Sequence, residues 1–114
     1  PSPEYDGKGL DQTVKVKGST TVTLSNDEGE QFVIRYEEKG KNDMTLHIDR
    51  SKSGETKFSN DFAVPMYAPV HKKLTSLRIF VDRSSVEVFG NNGEVVMTNL
   101  VFPKSKYNKI DITK

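Results

Sequence analysis

The residues argue for an all-β domain, two antiparallel sheets stacked as a β-sandwich of the jelly-roll or concanavalin-like kind. Three observations lead there. Apolar and polar residues alternate over many short runs, the period of a half-buried strand. Turn-forming residues punctuate those runs at hairpin-scale spacing. No stretch shows convincing helical spacing. An apolar fraction of 33% beside 29% charged residues suits thin layers in which each strand commits one face to the core.

Taken in order, residues 1–11, with two Pro and two Gly, read as a linker remnant or a loose edge. The domain proper is expected over residues 12–114. Val14 and Val16 open the alternation, and Val22 and Leu24 continue it. Asn26-Asp27-Glu28-Gly29 forms the next turn, before Phe32, Ile34 and Tyr36. The segment Glu38–Asp43, with Gly40, leads to Met44, Leu46 and Ile48. From Phe58 to Lys73 the pattern is least regular: a short strand around Phe62–Val64, then a crossing loop holding Pro65 and Pro69. Leu77, Ile79 and Val81 resume the alternation, and Asp82-Arg83-Ser84-Ser85 joins them to Val86 and Val88. Asn91-Asn92-Gly93 tolerates the positive φ of a tight turn and precedes Val95 and Met97. Pro103 ends a strand, because proline cannot donate to a central ladder. Ile110 and Ile112 form the last run.

Charge sets the first functional limits. Seventeen Lys and Arg against 16 Asp and Glu leave a net charge of +1, without the basic footprint of a nucleic-acid binder. No apolar run approaches the roughly 20 residues of a membrane-spanning helix. With no cysteine, disulfides, thiolate catalysis and thiolate zinc sites are excluded. The chain opens on Pro1-Ser2-Pro3-Glu4, with neither an initiator Met nor a signal-peptide pattern, so we expect a processed piece of a longer protein.

Little in the chain suggests bond-breaking chemistry. Ile48-Asp49-Arg50-Ser51 and Val81-Asp82-Arg83-Ser84 share a pattern at two strand ends. Asp at such a position commonly caps a turn, and a following Arg holds its pKa low, against acid work. His47 alternates outward and His71 is far from it in sequence, too few ligands for a metal. Asp27, Glu28 and Glu30 miss calcium-loop spacing and read as a solvated hairpin tip. No cofactor is expected.

Leu77-Arg78-Ile79-Phe80-Val81-Asp82-Arg83-Ser84-Ser85-Val86-Glu87-Val88-Phe89-Gly90, followed by Asn91-Asn92-Gly93-Glu94-Val95-Val96-Met97-Thr98 and Val101-Phe102-Pro103, resembles the carboxy-terminal domain of glycoside hydrolase family 32. Leu46-His47-Ile48-Asp49-Arg50-Ser51-Lys52-Ser53-Gly54 matches the family's second recognisable stretch. The family contains invertases, levanases, inulinases and sucrose-6-phosphate hydrolases. The resemblance implies a sandwich that follows a five-bladed catalytic β-propeller in the same polypeptide. Retaining glycoside hydrolysis needs two carboxylates about 5 Å apart. The family places them in an Asn-Asp-Pro-Asn-Gly-like segment and a Glu-Cys pair, with an Arg-Asp-Pro segment beside them. None of these occurs here, so this chain is not expected to catalyse on its own. The parent would be secreted or periplasmic, or cytoplasmic if a sucrose-6-phosphate hydrolase.

Two roles follow from the resemblance. In the first, the chain is a structural domain that stabilises the propeller through a covered outer sheet face. Phe80, Phe89, Val33 and Val96, on the opposite parity from their strands' main apolar sets, would line that face. In the second, it is a module that binds fructan or sucrose, with platforms drawn from Tyr5, Tyr36, Tyr67 and Tyr107 and hydroxyl contacts from Asp82 and Arg83. Asp49, Arg50, Asp82, Arg83, Phe80 and Phe89 are the candidate sugar or interdomain contacts. The expected partners are the propeller and a fructan or sucrose, with no nucleic acid and no membrane.

Overall fold

The computed structural model describes residues 10–54, 66–82 and 84–114, with Asn92 described in its backbone alone. Among these residues nine strands run in chain order: β1 (Leu10–Lys15), β2 (Thr20–Ser25), β3 (Gln31–Gly40), β4 (Asp43–Asp49), β5 (Met66–Val70), β6 (Ser76–Val81), β7 (Ser85–Gly90), β8 (Val95–Leu100) and β9 (Lys109–Thr113). A 3₁₀ turn, Asn91–Gly93, links β7 to β8. There is no α-helix among the described residues.

The strands form two sheets, one of four in the order β1-β6-β7-β8 and one of five in the order β5-β4-β3-β2-β9. Every pairing is antiparallel. Each sheet contains a meander, β2 to β5 in one and β6 to β8 in the other. The chain changes sheet between β1 and β2, between β5 and β6, and between β8 and β9.

Alternation decides which faces meet. Val22, Leu24, Phe32, Ile34, Tyr36, Met44, Leu46 and Ile48 point inward from the five-stranded sheet and are buried. Leu77, Ile79, Val81, Val86 and Val88 answer them from the four-stranded sheet. These are mainly β-branched, aromatic and leucine side chains, which pack well across a pleated surface. Truncating the fully buried Phe32 to Ala would cost about 3–5 kcal/mol, a large share of the roughly 5–15 kcal/mol that stabilises a domain.

Three expectations change. Leu10 and Asp11, placed in the loose edge, belong to β1, where they pair with Val81 and Phe80. Met66–Val70, placed in a crossing loop, is β5, paired along β4 from Met44 to Ile48. Pro69 is tolerated there because β5 is an edge strand and need not donate on its outer side. Tyr36 and Tyr107, offered as platforms, lie in the core. The strand expected at Phe62–Val64 lies outside the described residues.

Turn chemistry holds the ends together. Asn91 has φ 49° and Gly93 φ 107°, the positive values that Asn and Gly tolerate. Asn26 is buried under the β2–β3 turn, where its Oδ1 accepts from the amides of Glu28 (3.0 Å) and Glu30 (3.1 Å). Its Nδ2 donates to Glu30 Oε1 at 2.9 Å and to the Ser105 carbonyl at 2.8 Å. The hairpin tip expected to be merely solvated is thereby tied to the segment leading into β9.

Candidate functional site

The outward residues of the four-stranded sheet form rows set by strand register. Thr13, Arg78, Phe89 and Val96 lie in one row, and Asp11, Phe80, Glu87 and Thr98 in the next. Leu100 stands opposite Ser85. Phe80 and Phe89 are diagonal neighbours on this face, within reach of one another. Both are half-buried, while Val96 and Leu100 are 53% and 56% exposed. Arg78 donates to both carboxylate oxygens of Asp11, from Nε at 2.9 Å and from Nη2 at 2.5 Å. Those bonds, more than the charge alone, hold the Asp11 carboxyl below its usual range. Val33, expected with the two phenylalanines, faces outward from the other sheet, opposite Asp49.

The five-stranded sheet presents a different outer surface. Thr113, Thr21, Arg35, His47 and Tyr67 follow one another across all five strands. Asp111, Thr23, Val33 and Asp49 form the adjoining row. His47 and Tyr67 stack in parallel, ring centroids 4.5 Å apart and planes 3° from parallel. Arg35 Nη1 lies 3.4 Å from His47 Nδ1. A guanidinium can only donate, so Nδ1 is the acceptor in this contact. His47 does alternate outward, but it is half-buried between an arginine and a tyrosine.

Asp49 ends β4 as a turn-capping residue, its Oδ1 accepting from the Ser51 amide at 2.9 Å. Burial raises its carboxyl, but the Ser51 amide and hydroxyl, with the electrostatic influence of His47 and Arg35, outweigh that and leave it below the ordinary value. Beside it, Gln31, Val33, Ser51 and Lys52 complete the lining of a pocket of about 100 Å³.

Arg50 points the other way. Its Nη1 donates to the Leu100 carbonyl at 3.0 Å, bridging the two sheets at one end of the sandwich. The Asp82 turn closes the same end of the four-stranded sheet, the Asp82 amide donating to the Ser85 carbonyl at 2.9 Å. The six candidate residues thus divide. Phe80 and Phe89 share an outer face, Asp49 lies on the opposite outer face, Arg50 and Asp82 sit at the end between them, and Arg83 lies outside the described residues. Arg35, His47 and Lys52 were not singled out as contacts. Outward parity on adjacent strands was the available signal, but register is needed to bring Arg35 and His47 together.

Among the described residues, no three His, Asp or Glu side chains gather to hold a metal ion. The two Asp-Arg-Ser segments end strands of different sheets. The fold defines a two-sheet β-sandwich domain whose outward chemistry, among the described residues, is stacking, ion pairing and hydrogen bonding. More particularly, the chain belongs to the C-terminal domain family of the family 32 glycosyl hydrolases, whose description, "Glycosyl hydrolases family 32 C terminal", matches residues 6–114.

The chain is 40% identical over 82 residues to a levanase of Bacillus sp. (strain L7), covering 70% of this chain and 9% of that enzyme. It is 48% identical over 63 residues to an extracellular exo-inulinase of Aspergillus niger, covering 53% of this chain and 12% of that protein. In structure it resembles sucrose-6-phosphate hydrolase from Lactobacillus gasseri, with a TM-score of 0.70 and 30% identity over 95% of this chain and 22% of that one. The chain therefore spans a small fraction of the length of the relatives it matches.

Proposed function

We propose that this chain is the accessory sandwich of a larger enzyme that hydrolyses β-fructofuranosidic bonds in sucrose or fructans. It stabilises the catalytic propeller and breaks no bond itself. The outer face of the four-stranded sheet is the surface that rests against that catalytic body. One observation carries this assignment: Phe80, Phe89, Val96 and Leu100 point outward together from three neighbouring strands. An outward apolar group of this kind gains by burial, at roughly 25 cal/mol per Å² of apolar surface removed from water. The opposite outer face is dominated by Thr, Arg, His and Asp and would gain far less. The levanase, exo-inulinase and sucrose-6-phosphate hydrolase names of the relatives support the substrate class.

The test is made on the full-length polypeptide that carries this domain. Deleting the domain is expected to lower the melting temperature and the recovered hydrolytic activity. Substituting Phe80→Ser with Phe89→Ser is expected to reproduce much of that loss. An enzyme equally stable and active without the domain would overturn the reading.

A further inference from the structure

We propose that the outer face of the five-stranded sheet binds a carbohydrate chain, with Tyr67 as its stacking platform, His47 holding that ring from one side, and Arg35 and Asp49 as its hydrogen-bonding groups. Tyr67 is 65% exposed. One side of its ring is fixed against His47, and the remaining exposure leaves the other side open. A flat, bare ring held rigid by a parallel neighbour presents an apolar plane at little cost in side-chain entropy. The C–H face of a sugar ring is the complementary shape.

The polar groups around it are unsaturated. His47 is the exception: its Nε2 is enclosed and without a partner, so the ring serves to fix Tyr67 rather than to bond the ligand. Arg35 has five N–H donors, and its one hydrogen-bond contact among the described residues is with His47. The Asp49 carboxylate accepts from the Ser51 amide and hydroxyl, which uses two of its roughly four lone-pair sites and leaves the others for a ligand. Gln31 and Lys52 line the pocket beside Asp49.

This combination selects among ligands. Asp49 disfavours an anion, while Arg35 and Lys52 disfavour a cation. A neutral molecule that both donates and accepts at closely spaced positions suits all of them, as adjacent sugar hydroxyls do. The face is open, so it fits a stretch of chain laid across β5, β4 and β3 rather than a buried small molecule. Narrowing the ligand to a fructosyl chain rests on the function proposed above; the carbohydrate class rests on these residues alone.

The experiment is an NMR titration of the ¹⁵N-labelled 114-residue chain with inulin-type and levan-type oligosaccharides, and with a cello-oligosaccharide for comparison. Binding is expected to move the amide signals of Arg35, His47, Asp49 and Tyr67. Tyr67→Ala should weaken binding about tenfold, with an unchanged circular dichroism spectrum, while Tyr67→Phe, which keeps the platform, should bind nearly as well. Shifts with the cello-oligosaccharide alone would support a carbohydrate site and overturn the narrowing to fructosyl chains. Absence of shifts with every sugar at tens of millimolar, or shifts confined to Phe80 and Phe89, would overturn the proposal. The propeller-supporting role is read from the other sheet and is tested by deletion, so it would survive that failure.

Discussion

Tyr36 shows what one residue can do between two layers. Its ring is buried on the inner face of β3, and its hydroxyl donates to Glu38 Oε2 at 2.7 Å. The same hydroxyl accepts from the Leu74 amide at 3.1 Å, in the segment that crosses from β5 to β6. Removing it in Tyr36→Phe leaves a buried amide without its partner. The expected cost is about 1–3 kcal/mol, measured as a lowered urea midpoint with an unchanged slope. Burial, assisted by the neighbouring Glu38, raises the phenol from 10.0 to about 12. Its contribution is thus complete below pH 10.0 and disappears as pH climbs through about 12. The carboxylates act in the opposite sense. Asp11 and Asp49 both lie below their ordinary value when folded, so the unfolded chain binds more protons at low pH. Their contribution is present above the ordinary carboxylate value of 3.8 and fades as pH falls below it. Asp49→Asn should flatten that acid limb in a series of melting curves, and an identical limb in the variant would contradict the assignment. These effects were hidden in the sequence, because an alternating Tyr or a strand-ending Asp does not disclose its partners.

At the scale of elements, the junction between the β4 turn and the C-terminal segment decides how the sandwich closes. Gly54 has φ 141°, and a Cβ there would collide with the backbone of Phe102 and Pro103. Tyr107 donates its hydroxyl to the Ser53 carbonyl at 2.6 Å, and the Asn108 amide reaches the Ser25 carbonyl at 2.9 Å. Gly54→Ala should force these segments apart and cost at least about 1–3 kcal/mol, seen as a lower melting temperature. Removing residues 104–114 should do more. β9 covers the edge of β2 from Thr21 to Ser25, and losing it leaves a bare edge strand prone to pairing with other chains. Light scattering should report association of the truncated protein. β5 gives the converse lesson in legibility. Its Pro69 argued against a strand, yet an edge position accommodates proline, and edge or centre is a property of the sheet rather than of the segment.

For the whole molecule, the two outer faces differ in character, one carrying Phe80, Phe89, Val96 and Leu100 and the other mainly Thr, Arg, His and Asp, and the two proposals above assign each a different partner. The isolated chain should fold with a β-type circular dichroism spectrum and release no fructose from sucrose, levan or inulin. The double variant Phe80→Ser with Phe89→Ser should change the stability of the isolated chain by less than about 1 kcal/mol. The same pair should weaken the full-length enzyme, and that contrast separates a docking surface from a core. Equal losses in both settings would show that the phenylalanines serve the sandwich alone.

Period-two alternation from Val14 to Ile112 was enough by itself to determine an all-β chain, most of its core residues and most of its turns, because side-chain direction in a strand follows from backbone geometry alone. The long run from Leu77 to Pro103 was distinctive enough to announce the family. Three things waited for the tertiary structure: that Val33 faces away from Phe80 and Phe89, that Tyr36 and Tyr107 are interior, and that Arg35, His47 and Tyr67 meet. Each depends on which strands are neighbours and in what register. That information resides in contacts between residues distant along the chain, and no local pattern encodes it.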